Sequence, residues 1–119
     1  MLKTTLLSLP IILCSVAASA AGLSSVTCSD YSVSMVFDAD IQDSGQDVTK
    51  AGVGESASGP FTAFSSSSSV SVEGSRNVTI SLSDEDVIEL GSITGGSSCV
   101  LEVNSGFVSG VTSTSTASE

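Results

Sequence analysis

The chain has 119 residues with thirteen Asp or Glu, only three Lys or Arg and no histidine, for a formal charge of −10. That balance excludes a nucleic-acid binder, which needs clustered cations to neutralise phosphates, and it opposes adhesion to an anionic membrane surface. The missing histidine removes the commonest general base and the commonest metal ligand.

In chain order, the first segment is MLKTTLLSLPIILCSVAASA. Lys3 precedes an apolar run that ends in Ala18-Ser19-Ala20, the three-part pattern of a secretory signal peptide over residues 1–20. The run is short for a membrane span, and Pro10 interrupts it. Leu13 stands before Cys14, where a lipid-attachment signal needs a small residue. Cleavage after Ala20 takes 20 of the 119 residues and leaves 99, enough for one domain with a modest core. Losing Lys3, the leader's only charge, moves the formal charge from −10 to −11. No second run of spanning length follows, so no membrane insertion is expected after cleavage, and the charge favours a soluble monomer.

Cys14 leaves with the leader. Cys28 and Cys99 remain, and an even pair in an exported chain predicts one disulfide. They lack the close spacing of a redox pair.

The rest of the chain alternates with period two. In YSVSMVFDADI, residues Tyr31, Val33, Met35, Phe37, Ala39 and Ile41 point one way, and only Val36 breaks the rule. SVSVEG, RNVTISLS and SCVLEVN repeat the pattern, the last placing Cys99 with Leu101 and Val103 on the core side. LSSVTC, DVTKAGV, PFTAF, DVIEL and GFVSGV are weaker strand candidates. Residues 84–90 also suit a single helical turn, but a strand from Val87 is the preferred reading. Turn compositions at Asp43-Ser44-Gly45, Ser58-Gly59-Pro60, Glu73-Gly74-Ser75, Gly95-Gly96 and Asn104-Ser105-Gly106 separate these runs. The expected fold is all-β: a small antiparallel β-sandwich, or a partly closed barrel, of seven to nine short strands over residues 21–111. The serine run 65–69 reads as a flexible loop or an exposed strand start. Residues 112–119, TSTSTASE, read as a disordered tail.

Chemistry is scarce. Without histidine there is no Ser-His-Asp or Cys-His machinery. Paired carboxylates could serve a glycosidase, but no Trp and a single Tyr leave little to stack a sugar on. The chain is therefore expected not to be an enzyme. FDADIQDSGQD gathers Asp38, Asp40, Asp43 and Asp47, a candidate calcium loop since calcium takes six to eight oxygens. The EF-hand pattern fails, with Asp43 at its glycine position and Thr49 at its bidentate glutamate position. The plainer reading is an acidic turn, and no other cofactor is expected. Asn77-Val78-Thr79 is an N-glycosylation acceptor if the source is eukaryotic.

These features favour a secreted, non-enzymatic binding protein, effector-, inhibitor- or adhesin-like, with an extracellular protein or glycan as partner. The contact regions expected are residues 38–47 and 56–69, the second flanked by Phe61 and Phe64. The alternative is a structural or self-assembling cell-surface component, with calcium or salt screening its charge.

Overall fold

The structure, a computed structural model, describes residues 21–94 and 99–119; the expected leader and the Gly95-Gly96 turn lie outside the described residues. Eight strands follow in order: β1 Leu23–Cys28, β2 Ser32–Phe37, β3 Ala51–Gly54, β4 Phe61–Ala63, β5 Ser69–Glu73, β6 Asn77–Ser81, β7 Val100–Val103 and β8 Ser115–Ser118. Among the described residues one α-helix, α1, spans Asp84–Thr94. The strands form two four-stranded antiparallel sheets, ordered β1-β2-β6-β5 and β4-β3-β7-β8. The expected sandwich is thus the observed fold.

Alternation decides which side of each strand is buried. Val33, Met35 and Phe37 of β2, with Val78 and Ile80 of β6, are buried in the first sheet. Leu101 and Val103 of β7, with Val53 of β3, are buried in the second. Phe107 from the β7–β8 loop fills space beside β2, its ring 6.4 Å from that of Phe37 and stacked on it. Burying each such side chain contributes roughly 1.5–3 kcal/mol. Val36, the exception in the β2 pattern, is 40% exposed. On the outer face of the first sheet the register sets Thr27, Ser34, Thr79 and Ser71 in one row across all four strands. The next row is Ser25, Val36, Asn77 and Glu73.

Strand β3 departs from alternation because all four residues of Ala-Gly-Val-Gly are buried. Its glycines let β4 approach closely. A Cβ on Gly52 would lie 2.7 Å from the Thr62 carbonyl oxygen. Gly52→Ala is therefore expected to destabilise the fold by about 1–3 kcal/mol, the usual range for overpacking, read from the urea midpoint.

Three expectations change. Residues 84–90 are helical, not a strand. Ser83 accepts a hydrogen bond from the Asp86 amide through its side chain (3.3 Å), acting as an N-cap. Asp84, Glu85 and Asp86 lie in the first turn, where the helix dipole favours negative charge. The expected disordered tail instead supplies β8, paired along β7 from Ser115↔Val103 to Ser118↔Val100. Alternation persists there quietly: Ser115 and Ala117 are half-buried, Thr116 and Ser118 exposed. GFVSGV is not a strand but a turn, joined to residue 42 by an isolated bridge, Gln42↔Ser109, and it sends Phe107, Val108 and Val111 into the core.

The sandwich draws together on its β1/β8 side without a ladder. The Leu23 amide donates to the Ser115 hydroxyl (3.0 Å) and the Cys28 amide to the Glu119 carboxylate (3.3 Å). Cys28 and Cys99 are disulfide-bonded with Cα atoms 6.5 Å apart, tying the end of β1 in one sheet to the residue before β7 in the other.

Candidate functional site

The four aspartates of the acidic stretch do not converge. Strand β2 ends at Phe37, so the alternation that would aim Asp38 and Asp40 at one point stops before them. Asp38 accepts from the Gly22 amide at 2.8 Å. Asp40 faces the opposite neighbour and pairs with Arg76 Nε at 3.1 Å, an exposed contact of small energetic worth. Asp43 accepts from the Gln46 side-chain amide. Asp47 caps the following 3-10 turn, accepting from the Thr49 hydroxyl (2.6 Å) and the Thr49 amide (3.1 Å). Among the described residues, no three carboxylates bring oxygens within 4.8 Å of one another, and the candidate calcium loop is built as a set of separate turn contacts.

The Thr49 hydroxyl, then its amide, holds the Asp47 carboxyl below its ordinary value of 3.8, and Lys50 adds a smaller favourable charge. Because the folded value is depressed, the resulting stabilisation is present above the ordinary value and lost as pH falls through the lowered one. Thr49→Val is expected to raise the Asp47 midpoint toward the ordinary carboxylate value, followed by NMR titration of its side-chain carbon.

The two expected contact loops are ordered. Residues 42–47 are held to the 107–111 turn: the Asp47 amide donates to the Phe107 carbonyl (2.9 Å), and the Ser44 and Ser109 hydroxyls bond at 2.9 Å. In the second loop Phe64 is buried in the core and Phe61 half-buried. A Cβ on Gly54 would come within 2.9 Å of the Phe61 ring, so that ring lies directly on the β3 backbone. The serine run is pinned by Asp86, which is buried. Its carboxylate accepts from the Ser65 amide (3.1 and 2.9 Å), the Ser65 hydroxyl (3.2 Å) and the Ser68 hydroxyl. The Ser68 hydroxyl in turn accepts from the Ser83 amide at 2.8 Å, joining loop to helix cap. Asn77 is exposed on the outer face of β6, beside Val36 and Glu73.

A concave feature lies elsewhere. A groove of about 520 Å³ runs between the β1–β2 turn and helix α1, beside the disulfide. Leu90 and Cys99 are its buried residues, and half-buried Val87 and Thr94 extend the helix side. Ser29, Asp30 and Tyr31 form the exposed opposite side, and Glu119 joins from the end of β8. Tyr31, expected to point inward with the β2 core residues, is 74% exposed, because β2 starts only at Ser32 and the chain is turning at Tyr31. Ile88 is 73% exposed and stands three residues before Gly91, on the same helical face. A Cβ on Gly91 would meet nothing within 4 Å, so the groove is open at that point.

Sequence reasoning missed this site because its parts lie far apart in the chain. Only the helix-cap sequence Ser83-Asp-Glu-Asp86, a capping-box variant, could have signalled the helical wall. Against known proteins, the chain matches no family model, no curated protein and no solved structure.

Proposed function

We propose that this chain is an exported, non-enzymatic binding module whose contact site is the groove beside the Cys28–Cys99 bond. The observation that carries the reading is the groove itself. Its size falls within the range of about 300–1,000 Å³ usual for ligand sites. It sets apolar side chains in one groove with an exposed tyrosine, a residue type enriched among interface anchors. The disulfide is compatible with an extracellular location and fixes the groove in advance, which lowers the ordering cost of binding. The non-enzymatic reading rests on the residues that line the groove: Ser29, Tyr31 and Thr94 carry its hydroxyls, and no histidine or lysine among the lining residues stands there to activate one. Asn77 is the position for a glycan in a eukaryotic host; neither it nor its cross-strand neighbours line the groove.

The test is capture from extracellular extract by immobilised wild type, Tyr31→Ala and Gly91→Trp. Both variants alter exposed groove positions and are expected to melt as wild type does. Loss of the same captured species from both supports the reading. Retention of those species by both places the contact surface elsewhere.

A further inference from the structure

We infer that the groove takes a cationic side chain, arginine or lysine, presented by an apolar segment of a partner protein. This rests on the binding reading above and assigns its ligand class. Three features of the groove select a cation. Asp30 and Glu119 line it, and the Glu119 carboxylate is held there by the Cys28 amide. Thr94 brings in the last turn of α1, the negative end of the helix dipole, and that turn carries no basic residue. Among the described residues no cation lines the groove: Arg76 pairs with Asp40, and Lys50 lies beside Asp47. Two lining carboxylates with no cation among the described lining residues, in a groove also lined by Tyr31, Val87 and Leu90, suit a side chain that is apolar along its stem and charged at its tip. Arg and Lys have that form, and the guanidinium can also stack on the Tyr31 ring. The acidic chain as a whole adds steering toward a basic partner.

The probes are blocked pentapeptides, Gly-Leu-Xaa-Leu-Gly, with Xaa as arginine, lysine, citrulline or glutamate, followed by amide shifts of uniformly 15N-labelled protein. Saturable shifts at residues 29–31 and 87–94 are expected with arginine and lysine, with affinity at least tenfold above citrulline, the scale of one charge-assisted hydrogen bond. The double variant Asp30→Asn/Glu119→Gln should remove that difference, while Asp43→Asn/Glu73→Gln should leave it. Citrulline binding as tightly as arginine, at the same residues, would overturn the cation assignment and leave the groove reading standing. Equal loss with Asp43→Asn/Glu73→Gln would show diffuse attraction to an acidic surface and overturn it as well. Concentration-dependent shifts at these residues without peptide would make a second copy of the chain the occupant, again against the proposal. Failure of all four peptides, with partner capture insensitive to Tyr31→Ala, would sink both readings together.

Discussion

The double variant Cys28→Ala/Cys99→Ala is expected to lose about 4 kcal/mol of stability, the chain-entropy value for a closed loop of this length. The two cysteines are 71 residues apart, so reopening the bond frees most of the domain in its denatured state. A domain of this size has only about 5–15 kcal/mol in total, so the variant should unfold at a much lower urea concentration or fail to fold at 37 °C. The bond also joins one sheet to the other beside the groove, so reduction with dithiothreitol should broaden the amide signals of residues 29–31 before the core opens. A loss below about 1 kcal/mol would mean that the denatured chain is already compact enough to make the crosslink redundant.

Asp86→Ala is expected to cost about 2–4 kcal/mol, since hydrogen bonds to a charged group contribute roughly 1.5–3 kcal/mol each and buried partners are left unmet. Asp86 is only 4% exposed, and its carboxylate is the acceptor for the Ser65 amide. With the carboxylate gone that amide has no replacement among these contacts, whereas the Ser68 hydroxyl can turn to Ser83, 3.4 Å away. Hydrogen exchange at Ser65 should accelerate by more than the global loss of stability accounts for. Asp86→Asn keeps one acceptor oxygen and should fall about midway. A Ser65 amide that exchanges as slowly in Asp86→Ala as in wild type would show that the serine loop is held by its strand ends alone.

Much of the sandwich was legible because alternation is a direct imprint of a two-layer core. Ser32–Phe37, Ser69–Glu73, Asn77–Ser81 and Val100–Val103 each fall within a run of period two, while Leu23–Cys28, a weaker strand candidate, has its alternation interrupted by a register shift between Leu23 and Ser25. The disulfide followed from cysteine parity. The helix was masked because Val87, Leu90 and Ile93 form too thin a stripe, and Gly91 inside it opposes helix by about 1 kcal/mol relative to Ala. Its start is set by Ser83 and by a carboxylate bonded to a loop about 20 residues away, which no local window contains. The serine run looked flexible for the same reason: its order comes from Asp86, not from its own composition. The acidic stretch had an acidic turn as its plainer reading and a calcium loop as the alternative. Closeness in sequence placed four carboxylates together, while the end of β2 and the turns after it sent each to a different donor. The groove was not legible at all, being assembled from a turn, a helix face and the last strand.

Strand β8 covers the β7 edge, where Val100–Val103 would otherwise present open amides and carbonyls between apolar side chains. Such an uncovered edge templates addition of further chains. The outer side of β8 offers a poor template: it is short, polar, ends beside the Glu119 charge and lies against β1 through that residue and Ser115. The segment that composition marks as expendable is therefore a safeguard. Proteolytic trimming of those few residues is expected to leave the β7 edge open to strand addition by another chain.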